Sequence, residues 1–166
     1  MVASTAMHTE ASSSALNIDE RFMRMALCAA QQASQEGEVP VGAVVVREER
    51  VIGSAYNAPI GSHDPTGHAE IRALRMAALQ EENYRLPGTT VYVTAEPCLM
   101  CAGAMLHARV RRVVFGCRES KLGALGSVYD AVGHYRGNHR LQVTGGVCAD
   151  EASALLRRFF QVRRGA

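Results

Sequence analysis

The chain has 166 residues, 48% of them hydrophobic and 20% charged, and a formal charge of +2 at pH 7. This composition is typical of one globular domain with its own core and excludes a wholly disordered chain. No apolar run approaches the ~20 residues that cross a bilayer, so we expect no membrane association. Five cysteines are too few, and odd in number, for a disulfide-stapled secreted fold. We therefore expect the cysteines to bind a metal or to be ordinary buried thiols.

The charges are unevenly distributed along the chain. Residues 1–100 carry 7 basic and 12 acidic side chains, a net charge of −5. Residues 101–166 carry 11 basic and 4 acidic side chains, a net charge of +7. A basic half favours an anionic partner, although solvated charges that happen to segregate would give the same totals.

The amino-terminal segment predicts a tail followed by a helix. Residues 1–16 are rich in Ser, Thr and Ala without a clear period, and we expect a disordered tail there and a folded domain over residues 17–166. Asn17 and Glu20 have the spacing of a capping box at a helix start. Apolar residues then recur at helical spacing until Gly37, which can end the helix.

The remaining pattern alternates strands with helices. Two β-branched runs separated by a polar turn predict an antiparallel hairpin. The predicted elements are the strands Val41–Val46 and Val51–Tyr56, a helix from His68 to about Glu82, a strand Thr89–Ala95, a helix from Cys98 to about Ala108, a strand Arg112–Cys117, a glycine-rich loop over 118–138, a strand His139–Thr144, and a helix capped by Asp150 that runs to about Arg163. This order predicts an α/β fold, a three-layer helix/sheet/helix sandwich around a mixed five-stranded sheet.

Two short segments at predicted helix starts carry candidate metal ligands. Cys98 and Cys101 are three residues apart, so both sulfurs lie on one helix face and can reach one ion. The helix amino terminus favours the thiolate form. His68 would complete a three-ligand set of sulfur and nitrogen, which suits zinc.

Three protein ligands indicate a catalytic metal rather than a structural one. A structural zinc ion is normally closed by four protein ligands, whereas a catalytic one leaves a position for water. Bound zinc lowers the pKa of that water to ~7 and makes it the nucleophile. Glu70, two residues after His68, is the candidate proton shuttle.

Each segment taken alone has a simpler explanation. His-Ala-Glu is a common helix start, and Cys-x-x-Cys also occurs as a redox pair or in a core. The order His-x-Glu followed by Pro-Cys-x-x-Cys is the signature of zinc-dependent nucleobase deaminases. The pair of segments therefore favours that chemistry over the separate explanations.

Longer strings around these segments resemble bacterial tRNA adenosine deaminases, which convert the wobble adenosine of an anticodon to inosine. The similarity covers about Asn17 to Arg164 and is carried by Val39–Val44, His63–Glu70, Glu96–Met105 and Asn138–Arg140. It implies the cytidine deaminase-like fold, one zinc ion per subunit, His68, Cys98 and Cys101 as zinc ligands, and Glu70 as the proton shuttle. It also implies a homodimer, a tRNA anticodon stem-loop as partner, and a cytoplasmic enzyme.

The same resemblance assigns substrate contacts. Asn57, Ala69 and Asn138 match positions that line the pocket for the flipped adenine, although both asparagines also suit turns. Four residues are candidate RNA contacts, namely Arg118, Glu119, Arg157 and Arg158, although single arginines are usually solvent-exposed. Met100, Met105 and Leu106 suit either the core or a dimer interface.

This sequence departs from the family pattern at two places near the expected RNA. Glu119 stands where many bacterial members have aspartate, and residues 133–137 replace a stretch that often reads His-His-Pro-Gly. The alternative functions are a deaminase of a free nucleobase or nucleoside, such as cytosine, guanine or cytidine, and a non-catalytic zinc module. The first needs no basic surface, and the second needs no Glu70.

Overall fold

A computed structural model of the protein describes the backbone of residues 4–165 and the side chains of residues 18–165. This part of the chain forms five helices and five strands, which alternate except where β2 directly follows β1. The strands are β1 (Gly42–Arg47), β2 (Arg50–Tyr56), β3 (Thr90–Ala95), β4 (Arg112–Cys117) and β5 (Gln142–Gly145). The helices are α1 (Ser4–Gln35), α2 (Ala69–Gln80), α3 (Leu99–His107), α4 (Ala131–His134) and α5 (Ala149–Arg164). No helix in the described range is both long and apolar enough to cross a membrane.

The strands form one mixed sheet in the order β2-β1-β3-β4-β5. β1 pairs antiparallel with both β2 and β3, whereas β3, β4 and β5 are parallel to one another. The parallel strands need crossovers, which α3 supplies between β3 and β4. Their carboxyl ends therefore share one edge of the sheet, from which α3 begins.

Helices cover both faces of the sheet. Alternate residues of a strand point to opposite faces, so Val45 packs with the buried residues of α2 and α3, while Val44 packs with those of α1. α5 covers the same face as α1 and contacts β4. The predicted helix/sheet/helix sandwich with a mixed five-stranded sheet is confirmed.

Two glycines let helices approach the sheet closely. A Cβ atom on Gly42 would collide with the carbonyl oxygen of Ala26 in α1, and one on Gly53 would collide with that of Ala73 in α2. Any larger residue would push a helix away from the sheet. α2 therefore sits directly on β2, which fixes the position of its first turn.

Three local predictions were wrong at element ends. α1 begins at Ser4, so Asn17 lies inside the helix and does not cap it. Cys148, with a φ of 54°, precedes α5, which places Asp150 within its first turn instead of at the cap. β5 begins at Gln142, and the loop before it contains the short helix α4.

The division into a tail over 1–16 and a domain over 17–166 stays a prediction. Residues 1–3 lie outside the described part of the chain, as do the side chains of the remaining tail residues.

A buried polar network ties α1 to the sheet at the amino ends of the parallel strands. Asp19, whose side chain is 6% exposed, accepts hydrogen bonds from both terminal nitrogens of Arg112, at 3.0 and 2.8 Å. It also accepts one from the hydroxyl of Tyr92, at 2.9 Å. Burial and this hydrogen bond raise the pKa of Tyr92. Arg112 donates further to Thr144 of β5, so one carboxylate organises three elements.

We expect Asp19→Ala to lower the free energy of unfolding by about 2–3 kcal/mol, since it leaves a partly buried guanidinium unpaired. Urea denaturation followed by circular dichroism measures this loss. Glu20→Ala is the control, because its pair with Arg24 is exposed and should contribute less than about 0.5 kcal/mol. Equal losses for both variants would contradict the importance of the buried network.

Candidate metal centre and active site

His68 and Cys98 occupy equivalent places at the starts of two helices. Each is the residue before the helix, α2 and α3 respectively, and each has extended backbone. Such positions usually hold side chains that cap the free N–H groups, yet neither His68 nor Cys98 makes a capping bond. Their side chains are thus free to turn toward each other.

The structure brings three metal-binding side chains together. The Nδ1 atom of His68 lies 3.6 Å from the sulfur of Cys98 and 3.5 Å from that of Cys101. The ligand atoms all lie within 4.8 Å of one another. Cys101 is buried, while the other two residues are partly exposed. One ion can therefore contact all three from a position that solvent or a substrate can also reach.

The charges of this cluster favour a divalent cation. Hydrogen bonds with Cys101 and His68 lower the pKa of the Cys98 thiol to about 4. The bond to Cys98, together with burial, raises the pKa of Cys101. Two adjacent thiolates repel each other, so a cation is needed before both can ionise. Two soft sulfurs and one imidazole suit zinc, and the donor set fits that metal.

Glu70 lies in the first turn of α2 and is 4% exposed. Burial raises the pKa of its carboxyl group to about 6, against the opposing effects of its own backbone N–H and of His68. A carboxyl group of this kind can gain or lose a proton near neutral pH. Its position, within two residues of His68, puts it beside the cluster.

A closed loop connects the cluster to Asn57. The N–H of Ala58 donates to the carbonyl oxygen of Gly67 at 2.9 Å, which joins the two ends of the loop. Asn57 directly precedes Ala58 and His68 directly follows Gly67, so this hydrogen bond brings Asn57 and His68 close together. Asn57 is buried. Glu38 holds the middle of the loop, because its Oε1 accepts a hydrogen bond from the N–H of Gly61 at 2.7 Å.

Ala69, the first residue of α2, is buried between His68 and Glu70. The first N–H groups of a helix have no partner within the helix. Those of Ala69 and Glu70 therefore face the amino end of α2, where the cluster lies.

Asn138 lies elsewhere in the chain. It is exposed and its Oδ1 accepts a hydrogen bond from Arg109, which follows the end of α3. The nine residues of α3 span about 13 Å, and the cysteines lie at its other end. Within one subunit, Asn138 is therefore not beside His68, and its contact with the base stays a prediction.

The candidate RNA contacts divide between two places. A cavity of about 410 Å³ is lined by Arg157 together with Lys121, Ser153, Leu156, Phe160, Arg163 and Arg164. We call these residues the basic groove. Arg158 lies instead in a cleft with Ser34 and Gly37 of the α1 side. Phe159 is buried, whereas Phe160 is 45% exposed within the groove.

Loop 118–128 carries Lys121 of the basic groove and contacts Pro97, the residue before Cys98, through the N–H of Ala124. It follows β4 and carries Arg118, Glu119 and Lys121. Arg118 is exposed and lies over the ring of Phe115, 5.6 Å from its centre. Glu119 is partly exposed, and its carboxylate accepts a hydrogen bond from the N–H of Lys121 at 2.8 Å.

Glu96 is a buried carboxylate next to the metal-binding turn that sequence reasoning did not single out. It is 4% exposed and lies between the buried strand β3 and Pro97-Cys98. Burial by itself would raise the pKa of this carboxyl group, but hydrogen bonds from Ser127, Glu119 and Leu125 lower it. An acidic residue at the end of a fully buried strand is the signal that could have identified it, because buried charges need partners.

Comparison with known proteins agrees with this geometry. The family model described as "Cytidine and deoxycytidylate deaminase zinc-binding region" matches residues 16–117, which include the whole cluster. The zinc-binding description and the donor set together support one zinc ion per subunit. This agrees with the cofactor that the sequence predicted.

Curated relatives and solved structures are more specific. A tRNA-specific adenosine deaminase of Haemophilus influenzae is 52% identical over 88% of this chain and 85% of its own. Another, of Streptococcus pyogenes, is 38% identical over 86% of this chain and 84% of its own.

Among solved structures, one from a study of A-to-I editing by tRNA deaminases at the wobble position has a TM-score of 0.80. It is 40% identical and covers 82% of this chain and 99% of its own. A guanine deaminase of Nitrosomonas europaea has a TM-score of 0.74 at 25% identity, over 84% of this chain and 83% of its own.

The adenosine deaminases are thus more similar to this chain than the guanine deaminase is, and they match along nearly their full length. The chain belongs to the family of tRNA-specific adenosine deaminases.

Proposed function

We propose that this protein hydrolyses the wobble adenosine of a tRNA anticodon to inosine. The observation that carries the proposal is the cluster of His68, Cys98 and Cys101 beside the buried Glu70, in a chain that is 52% identical to a tRNA-specific adenosine deaminase. The overall reaction consumes one water molecule and releases ammonia. The exocyclic amine of adenine leaves and a carbonyl oxygen takes its place.

The zinc ion would be held by His68, Cys98 and Cys101. Its positive charge would offset the repulsion between the two adjacent thiolates. When bound, zinc supplies a water of lowered pKa at neutral pH. Three protein ligands leave room for that water, as a catalytic site requires. The partly exposed His68 and Cys98 keep this side of the cluster open to the substrate.

Glu70 would move the protons. Its carboxylate accepts a proton from the attacking water, gives a proton to the ring nitrogen of adenine, and then helps to protonate the departing amine. Burial suits this work, because it raises the pKa of the group to about 6, close to neutral pH. The side chain is also held at the start of a helix that packs tightly on the sheet.

Asn57 and the N–H groups of Ala69 and Glu70 would orient the flipped base. A buried asparagine offers both a donor and an acceptor to the edge of adenine. An anticodon loop is already partly unpaired, so extruding its base costs less than it would from a duplex. The closed loop between Asn57 and His68 keeps the base contact and the metal ligand at a fixed separation.

The basic groove would bind the RNA backbone. Arginine forks and the single lysine suit phosphates, and the exposed ring of Phe160 suits a stacked base. Loop 118–128 begins at the carboxyl end of β4, next to the carboxyl end of β3 that leads to Cys98. RNA bound in the groove can thus reach the cluster. Arg118 and Glu119 would contact the same RNA, and Arg158 lies outside the groove.

We expect the double variant Lys121→Ala/Arg157→Ala to raise KM for a stem-loop RNA about 10-fold or more, because two phosphates then have no cationic partner. The salt dependence of binding should also weaken, by a slope of about 0.7 for each phosphate of single-stranded RNA that the variant no longer neutralises. Steady-state kinetics over a salt series measures both. Arg50→Ala is the matched control, because this exposed arginine lies at the β1–β2 turn, away from the groove. An equal effect in the control would exclude the groove as the RNA site.

The function itself is tested with purified protein and an arginine tRNA transcript bearing adenosine at the wobble position. Inosine is measured by nucleoside chromatography, and zinc by elemental analysis of the same sample. We expect inosine at the wobble position alone. Guanine, cytosine and cytidine are assayed in parallel, because the guanine deaminase relative keeps the free-base alternative open. No inosine from a zinc-loaded sample would overturn the proposal.

We further infer that the protein is a homodimer that associates through the outer face of α2 and α3. Met76, Leu79, Tyr84 and Leu99 expose 48–80% of their surface there. Met105 and Leu106 are buried in the core and do not serve the interface, while Met100 is partly exposed. Sedimentation equilibrium should give a mass of two chains for the parent protein and of one chain for Leu79→Glu.

We place the protein in the cytoplasm. Its described cysteines are all free thiols, including Cys28, Cys117 and Cys148, which take no part in the metal cluster. Free thiols are typical of a reducing compartment.

A further inference from the structure

We propose that Glu96 is a positioning residue that fixes loop 118–128, and with it the RNA contact at Lys121, against the turn that carries Cys98. The proposal rests on the proposed function for its kinetic consequence. Its structural part is independent of which substrate the protein uses.

The carboxylate of Glu96 accepts hydrogen bonds from three residues of this loop. Its Oε2 accepts from the N–H of Glu119 at 3.1 Å and from the hydroxyl of Ser127. Its Oε1 accepts from the N–H groups of Leu125 and Ser127, both at 3.0 Å. All of these partners are donors, and they lie 23 to 31 residues away along the chain. A loop without regular structure is thereby closed around one buried charge.

The neighbouring residues strengthen the same junction. The carbonyl oxygen of Pro97 accepts a hydrogen bond from the N–H of Ala124 at 2.8 Å. The N–H of Glu96 donates to the carbonyl oxygen of Cys117 at 2.8 Å, at the end of β4. A Cβ atom on Gly123 would lie 2.6 Å from the carboxyl group of Glu96. The loop therefore wraps closely around the segment that immediately precedes Cys98.

Glutamate is the side chain that this arrangement requires. A glutamine would present an amide N–H₂ group to at least one backbone N–H, so two donors would face each other. An aspartate is shorter by one methylene and could not keep all four bonds. Hydrogen bonds to a buried carboxylate are among the stronger ones in proteins. Losing them loosens the loop most around Glu119 and Ser127, while Ala124 and Leu125 stay packed in the core.

The consequence for the enzyme is a fixed distance between two contacts with one RNA. Lys121 and Glu119 lie on the loop, while Cys98 lies one residue after Pro97. With Glu96 in place, RNA held at Lys121 presents its extruded base to the cluster. Without it, binding must first order the loop, and this cost appears as weaker binding instead of slower chemistry.

The experiment uses the single lysine of the chain as a probe. A lysine-specific endoprotease can cut only after Lys121, so the rate of appearance of two fragments reports how often the loop opens. We expect Glu96→Gln to be cut about 10-fold or more faster than the parent protein under native conditions. We also expect its KM for a stem-loop RNA to rise by about the same factor, with kcat within about twofold and one zinc ion per subunit retained.

Two further variants separate positioning from general stability. Asp19→Ala destabilises the far end of the sheet, and it should lower Tm while leaving the cleavage rate at Lys121 and KM unchanged. Ser127→Ala removes one side-chain donor and keeps the carboxylate, so it should give a smaller rise in cleavage. It also supplies the test if Glu96→Gln does not fold.

Several outcomes would overturn the proposal. These are cleavage of Glu96→Gln and Ser127→Ala no faster than the parent, equally fast cleavage of Asp19→Ala, or a loss of kcat at unchanged KM. If the parent protein makes no inosine while holding zinc, the proposed function fails. The cleavage rates would then still decide whether Glu96 holds the loop.

Discussion

Glu70→Gln should abolish inosine formation while the protein keeps its zinc ion. Glutamine has nearly the same shape as glutamate but neither accepts nor releases a proton, so the water and the leaving amine lose their proton carrier. General acid–base catalysis contributes about 10²- to 10⁴-fold to a rate, and we expect a loss of kcat at or above this range. KM for the stem-loop should change little, because Glu70 is buried away from the basic groove.

Single-turnover kinetics with excess enzyme measures the chemical step, and elemental analysis measures zinc. Glu82→Gln is the matched control, because it makes the same chemical change at an exposed position just beyond α2. A Glu70→Gln protein that keeps full activity would exclude the proposed proton transfer. Loss of zinc along with activity would indicate that Glu70 supports the metal cluster.

The layers of the fold could be predicted because the hydrophobic period and the residue composition of each segment favour the same element that the tertiary structure has. Val41–Val46 and Val51–Tyr56 are short, β-branched and separated by a polar turn, and they form β1 and β2 within one residue at each end. The order of the strands in the sheet could not be predicted in the same way. It depends on which apolar faces meet, and β1 pairs with β3 across two intervening elements.

The predictions of where elements begin and end were wrong where packing against distant residues determines these positions. Cys148 precedes α5 with a left-handed backbone that no local propensity favours. Its side chain packs against the apolar core between α1 and the sheet, and this packing offsets the cost of the left-handed backbone. Asp150 then contributes its charge to the first turn of the helix, where the dipole favours it.

The site shows the same division. That His68, Cys98 and Cys101 lie together, with Glu70 beside them, could be predicted because two local spacings place them at helix starts. Glu96 could not, since its partners lie on another loop and no local pattern connects them. Asn138 was matched by its family motif. It precedes β5 at the amino end of the parallel strands, away from the cluster within one subunit, and its contact with the base stays a prediction.

Cys101→Ser should remove zinc and lower the stability of the whole domain. A serine hydroxyl does not ionise near neutral pH and offers a hard oxygen in place of a soft sulfur, so the site loses both charge and affinity. A ligand present at about a thousand times its Kd stabilises a protein by about 4 kcal/mol, and losing it from a domain of this size lowers Tm by roughly 10 °C. Inosine formation should fall below detection.

Cys117→Ser is the matched control for this variant, because Cys117 is also a buried thiol at the same edge of the sheet but lies outside the metal cluster. It should keep one zinc ion per subunit. A chelator should lower the Tm of the parent protein and of Cys117→Ser, and it should leave that of Cys101→Ser unchanged, because this variant has no zinc to lose. If Cys101→Ser instead bound zinc fully and responded to the chelator, the ion would have to be held by other residues. Because Cys98 and Cys101 lie at the start of α3 and His68 at the start of α2, a zinc ion held by these residues would join the two helices that form one layer of the sandwich. Its removal should therefore loosen this layer first, and faster amide exchange in the first turns of α2 and α3 than in α1 would show it.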